Sequence, residues 1–224
     1  MAGRLPPVIA IDGPSASGKG TVAQGVAAAL GFHYLNSGAL YRAVALAAVE
    51  RGADLENELI IENISLKLRI KCEGDRVTLD GRDITDAYGT ESVGAAASRI
   101  AAYPKVRSAL MEHQRTFRQP PGLVADGRDM GTVVFRDAVL KIYLTAAPEE
   151  RARRRHKQLM EKGLGATMAA LLQDIRERDR RDSARAAAPL KKAEDAVQID
   201  TTGLSAAEAI AQVLALYKQV PPAP

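Results

Sequence analysis

Short apolar runs alternate along the chain with longer segments whose apolar residues recur every three or four positions. That alternation predicts an α/β fold with a parallel sheet core flanked by helices. Val8-Ile-Ala-Ile11 is a β-branched run closed by Asp12-Gly13, and it reads as a buried strand that delivers the chain into a loop. Val22, Val26 and Leu30 follow at helical spacing among alanines, with Gly31 where a helix C-terminal glycine belongs. His33-Tyr-Leu35 predicts a second strand. Asn36 or Ser37 can cap the next helix, which carries Leu40, Val44 and Ala48 and stops at Gly52. Leu123-Val-Ala125, Val139 to Leu144 and Ala196-Val-Gln-Ile199 predict three more strands, separated by helix-like sequence. At the end, Ser205 and Glu208 have capping-box spacing ahead of the stripe Ile210, Val213, Leu214 and Tyr217, a helix with a structural role.

Residues 63–90 break the rhythm. Leu66 to Cys72 and Arg76 to Leu79 alternate in side-chain type around Glu73-Gly74-Asp75, and Arg82 to Thr85 follows a second turn at Asp80-Gly81. This predicts a hairpin with a third short strand, a small antiparallel insertion. The terminal Pro-Pro-Ala-Pro is expected to be disordered, and the chain shows no internal repeat.

Composition narrows the class. With 224 residues, 46% of them hydrophobic, the chain can bury a substantial core as one compact unit. No apolar run is long enough to span a bilayer, and Met1 to Pro7 lacks the apolar centre of a secretory signal, so a cytoplasmic protein without membrane partners is expected. Cys72 is the sole cysteine and His33, His113 and His156 are scattered, which excludes an intrachain disulfide and disfavours a Cys/His metal cage. Any metal is expected to arrive with a substrate. The net charge is only +4, but Lys and Arg concentrate at Arg151 to Lys157 and Arg176 to Arg185. Such runs suit nucleic acid, small phosphate ligands or merely solvent.

The sharpest chemical signal follows the first strand. Gly13-Pro14-Ser15-Ala16-Ser17-Gly18-Lys19-Gly20-Thr21 places glycines at both ends of a tight loop between a strand and a helix. Backbone amides of such a loop can surround an anion, the helix N-terminus adds positive potential, and Lys19 can reach the transferred phosphate. Thr21 is the expected magnesium-side hydroxyl. The strict pattern has Ser or Thr directly after the lysine, whereas here Gly20 intervenes; the Lys-Gly-Thr ending resembles that of nucleoside monophosphate kinases. The reading is therefore a kinase that uses ATP as phosphoryl donor with Mg2+.

Ligands of open α/β sheets bind beyond the carboxyl ends of strands. Asn36-Ser-Gly-Ala-Leu-Tyr-Arg42 and Asp126-Gly-Arg-Asp-Met-Gly131 both follow strands. Leu171, Ile175, Arg178, Asp182 and Arg185 share one helix face that begins apolar and becomes charged. Such a stripe leaves the core and borders a cleft that contains anions, or else pairs i,i+4 on a surface.

These landmarks, together with Ala125-Asp-Gly-Arg-Asp-Met-Gly-Thr-Val-Val-Phe135, Glu177-Arg-Asp-Arg-Arg-Asp182 and Arg185-Ala-Ala-Ala-Pro189, resemble the bacterial cytidylate kinases nearly end to end. The resemblance implies a P-loop nucleoside monophosphate kinase fold, with core segments near 1–35, 119–150 and 190–220. It also implies a nucleotide-monophosphate region near 36–118 that holds the 63–90 insertion, and a helical lid near 151–170. It implies CMP and dCMP as acceptors, with Lys19, Arg128 and Arg185 catalytic. Ser37, Arg42, Arg128 and Arg185 would approach the acceptor phosphate, Tyr41, Arg178 and Asp182 the sugar, and Ser98, Arg107 and Asp129 the cytosine. Cytosine offers an amino donor to a carboxylate and ring acceptors to a guanidinium. A monomer without nucleic-acid partners is expected. A kinase for another small acceptor, such as AMP or shikimate, would share the loop and core; a nucleic-acid-binding NTPase is the alternative from a different class, weakened by an aromatic content of only 4%.

Overall fold

The computed structural model describes residues 5–73, 76–161, 163 and 165–221. The hairpin turn at Gly74-Asp75 and the tail beyond Pro221 lie outside the described residues. Strand β1 (Val8–Asp12) leads through the loop to helix α1 (Lys19–Leu30), β2 (His33–Asn36) and α2 (Ser37–Glu50). Helix α3 (Glu58–Lys67), strands β3 (Ile70–Glu73), β4 (Arg76–Leu79) and β5 (Arg82–Asp83), and helices α4 (Glu91–Ile100) and α5 (Pro104–Arg115) follow. The chain returns to the core as β6 (Leu123–Gly127) and β7 (Leu140–Thr145), then adds α6 (Pro148–Glu161), α7 (Met168–Ala184), β8 (Val197–Asp200) and α8 (Ala206–Lys218).

The main sheet has the order β2-β6-β1-β7-β8, and each of its pairs is parallel. Its central strand is apolar on both faces: Val8 and Ala10 join the core on one side, Ile9 and Ile11 that on the other. Leu40, Val44 and Ala48 of α2 cover the first face, and Val22 and Val26 of α1 with Ala209 and Val213 of α8 cover the second. Burying each of the larger aliphatic side chains contributes roughly 1.5–3 kcal/mol. The helix ends match their sequence signals. Asn36 caps α2 by accepting from the Ala39 amide, Gly31 closes α1 at φ 66°, and Ser205 with Glu208 forms the capping box of α8.

The second sheet, β3-β4-β5, is antiparallel and falls within the expected insertion. Its first strand needs correction, because Leu66 and Lys67 belong to α3 and the strand begins only at Ile70. Asn57 starts that helix by accepting from the Ile60 amide, and Ile61 and Ile64 bury against the core, a helical spacing that outweighs the local alternation Leu66 to Ile70. The third strand is shorter than expected, ending at Asp83.

Candidate active site

Three strands of the main sheet end in polar residues at one edge, with Asp12 beside Gly127 and Asn36 beside Asp126 in register. Beyond them lies a cleft of about 410 Å3, walled by the phosphate loop, the start of α2, α4, the turn after β6, and α6 and α7. The topology thus gathers the loops that the sequence singled out.

The phosphate loop sits tightly on the sheet. A side chain at Gly13 would place its Cβ 2.0 Å from the Leu144 carbonyl oxygen, so only glycine allows this approach. Gly18 precedes α1 without capping it by a side chain, which leaves the first amides of the helix facing the loop. Lys19 Nζ donates to the Pro14 carbonyl at 3.2 Å. Burial lowers its pKa to about 7, with nearby Arg128 adding to the effect and Asp126 opposing it. From α6, Arg151 donates to the Ser15 carbonyl at 3.1 Å and holds Asp179 of α7 with two nitrogens, at 3.0 and 2.6 Å. Arg154 donates to the Ser17 carbonyl at 3.3 Å and to the Thr201 carbonyl at 2.7 Å. Thr21 is exposed on the first turn of α1 and does not line the cleft.

Asp126 does line it, fully buried beside Lys19. Its carboxylate accepts from the Tyr34 hydroxyl at 2.6 Å, while burial raises its pKa and the Lys19 charge pulls it back. Among the described residues no cluster of three or more His, Cys, Asp or Glu could hold a metal ion by itself. One buried carboxylate beside the phosphate loop fits a hard divalent cation carried in on phosphate oxygens.

On the opposite wall the expected acceptor residues converge. Arg128 Nε donates to Asp182 at 2.8 Å, and Arg42 Nη1 donates to the Tyr88 and Thr90 carbonyls at 2.9 and 3.0 Å. Ser37 is buried next to Gly127. Arg178 Nε and Arg185 Nη2 are buried without a hydrogen-bond partner in the described structure. Burial, with Arg128 close by, pushes Arg178 down to about 9 and lowers Arg185 as well. Such a concentration of under-satisfied guanidinium groups calls for an anion.

The far end of the cleft is a closed ion pair. Arg107 pairs with Asp129, donates to the Ala101 carbonyl at 3.1 Å and lies 5.8 Å from the centre of the Tyr41 ring. Ser98 is buried near Asp182, donating to it at 3.4 Å. Asp129 opens a turn of π-helix over Met130–Val134, whose first two amides donate to the two carboxylate oxygens of Asp12, each at 2.8 Å.

Every expected acceptor residue therefore lines this one cleft. Sequence reasoning did not single out Asp12, Asp126 or the pair between Arg155 of α6 and Glu91 of α4. The first two carried a readable signal, an acid at the end of an otherwise apolar strand. Glu91 and Arg155 lie far apart in sequence and carry none. Of the arginines in the run at 151–155, Arg155 reaches the cleft wall while Arg151 and Arg154 brace the phosphate loop.

The family model described as cytidylate kinase matches residues 9–219. A cytidylate kinase of Nitrosomonas europaea is 54% identical over 95% of this chain and 96% of its own length. One from Burkholderia pseudomallei is 56% identical over 96% of this chain and 94% of its own. One from Pseudomonas aeruginosa is 56% identical over 89% and 90%.

Proposed function

The chain belongs to the cytidylate kinase family, and we propose that the cleft holds CMP or dCMP with its phosphate among Arg42, Arg128 and Arg185 and its base against Asp129 and Arg107. The reaction moves the γ-phosphoryl group of ATP onto the acceptor phosphate, giving CDP or dCDP. The observation that carries this reading is the pair of buried guanidinium nitrogens without partners, on Arg178 and Arg185, in the same cleft as Lys19.

Phosphoryl transfer asks for alignment and for positive charge around the equatorial oxygens. Lys19 and the amides of Gly13 to Thr21 hold the donor phosphates. Arg128 and Arg185 hold the acceptor phosphate opposite them, so the two reacting groups face each other across the cleft. Ser37 donates to the acceptor phosphate, and Tyr41, Arg178 and Asp182 flank the sugar. The nucleophile is a phosphate oxygen, whose second pKa is about 6, so no side chain need remove its proton. Magnesium, when bound, would screen the charge on the donor phosphates, and Asp126, buried beside Lys19 in the cleft, is the carboxylate that would hold it, whereas Thr21 does not line the cleft. Asp129 accepts from the cytosine amino group and Arg107 donates to the ring acceptors, together with Ser98. A uracil presents an oxygen to Asp129 instead. The lid near 151–170 excludes water, which protects ATP from hydrolysis. The protein works as a cytoplasmic monomer on these small nucleotides.

The test supplies Mg2+ and ATP with CMP, dCMP, UMP, AMP or shikimate and follows ADP together with the phosphorylated acceptor. Rapid CDP and dCDP formation is expected. Transfer to AMP or shikimate but to neither cytidine nucleotide would overturn the acceptor assignment and leave only the phosphate-loop kinase.

A further inference from the structure

Asp12 is the last residue of β1 and is 5% exposed, in a strand whose other members are all apolar. Burial pushes its carboxyl up to about 7 against the pull of the Gly131 and Met130 amides, with Asp129 raising it further and Arg128 lowering it. An isolated charge in such a place is costly unless hydrogen bonds satisfy it. Here they do, because one oxygen takes the Met130 amide and the other the Gly131 amide. The next residue along the chain, Gly13, begins the phosphate loop, and the residue before Met130 is Asp129. One buried carboxylate thus ties the root of the donor loop to the turn that carries the Asp129–Arg107 pair.

We propose that Asp12 is a positioning residue for acceptor-base recognition: its two hydrogen bonds fix the start of the turn after β6, and through it the direction in which Asp129 points. The proposal rests on Asp129 reading the base, as above. Asp12 itself touches neither nucleotide. The turn lies directly against the carboxylate, since a Cβ on Gly131 would lie 3.5 Å from Asp12 Oδ2 and 3.1 Å from the Lys141 side chain. An amide in place of the carboxylate would keep one acceptor and set an N–H donor against the second backbone amide, which turns an attraction into a repulsion.

The experiment compares wild type with Asp12→Asn, and with Ile9→Val as a control for lost stability in the same strand. KM for CMP, KM for ATP and the ratio of kcat/KM for CMP over UMP are measured for each. Asp12→Asn is expected to raise KM for CMP about tenfold or more and to lower the CMP:UMP ratio by a similar factor. KM for ATP should move by less than about threefold. Ile9→Val should lower the melting temperature without moving the ratio. An unchanged ratio in a folded Asp12→Asn, from a wild type that discriminates between the bases, would overturn the proposal.

Should Asp12→Asn fail to fold, the wild type supplies the second measurement: scalar couplings across hydrogen bonds from the Met130 and Gly131 amide nitrogens to the Asp12 carboxylate carbon, with and without CMP. Persistent couplings at both amides in the CMP complex support the assignment, and their absence there overturns it. A wild type indifferent to the base would count against Asp129 as the base reader, a separate failure visible as an Asp129→Asn variant with unaltered CMP:UMP preference. Asp12 would then no longer position base recognition, whatever its couplings.

Discussion

At the scale of single residues, the site holds charges that its surroundings disfavour. Burial, with Arg128 adding to it, lowers the pKa of Lys19 to about 7, far below the 10.5 of a free lysine. Its burial penalty is full below about pH 7. Between pH 7 and 10.5 the unfolded chain retains a proton that the folded chain has released, so stability rises with pH across that window. Lys19→Met should therefore raise the melting temperature near pH 7, and its advantage should shrink by pH 9; a melting-point difference that stays constant with pH would sink this account. Activity should fall at least 10²–10³-fold in the same variant, the scale of losing one preorganised charge donor. The Arg107–Asp129 pair makes a second case. Both side chains are less than a tenth exposed, so Asp129→Ala leaves a buried guanidinium without its partner and should cost about 3–5 kcal/mol in chemical denaturation. Replacing both, as Arg107→Met with Asp129→Leu, should restore most of that stability while CMP phosphorylation stays low. Recovery of activity in the double variant would mean that the pair serves the fold rather than the base.

At the scale of elements, α4 shows how a helix is shaped to carry a neighbour's side chain. A Cβ on Gly94 would lie 2.5 Å from Arg42 Nη2, so the glycine is the groove in which the Arg42 guanidinium rests. Gly94→Ala gains about 1 kcal/mol of helix propensity and displaces that guanidinium. The expected outcome is an unchanged or higher melting temperature with a several-fold higher KM for CMP, read from denaturation and steady-state kinetics; an unchanged KM would show that Arg42 can hold its place from another rotamer. The elements also differ in how far the sequence disclosed them. β1, β6 and β7 were legible because their apolar runs are buried on both faces, and the phosphate loop because its glycines are spaced by a mechanical need. Helix α3 was not, since Ile61 and Ile64 bury at helical spacing while Leu66 to Ile70 alternates like a strand. The site residues at 37–42, 128–129 and 178–185 were legible from their place after strands or on one helix face. The acids of β1 and β6 were overlooked because a strand-end aspartate looks like ordinary turn chemistry until its partners, more than a hundred residues away for Asp12, are known.

At the scale of the whole molecule, the cleft gathers Lys19, Arg42, Arg128, Arg178 and Arg185. The carboxylates opposite them are already engaged, Asp182 by Arg128 and Asp129 by Arg107. A small divalent anion should relieve their mutual repulsion without any nucleotide. Millimolar inorganic phosphate is expected to raise the melting temperature more than chloride at equal ionic strength, by an amount that grows with the logarithm of its concentration above its Kd. Equal effects of the two salts would mean that the arginines are satisfied by water. The hairpin of α6 and α7 adds a mechanical property. Its small cluster of buried apolar residues, Ala152, Leu159, Leu171 and Ile175, is separate from the two that sandwich the sheet, and it meets the phosphate loop through Ala16 and the hydrogen bonds of Arg151 and Arg154. Swinging that hairpin aside exposes little oily surface and exchanges mostly polar partners for water. Displacement of that hairpin from the phosphate loop should therefore answer to ionic strength more than to urea.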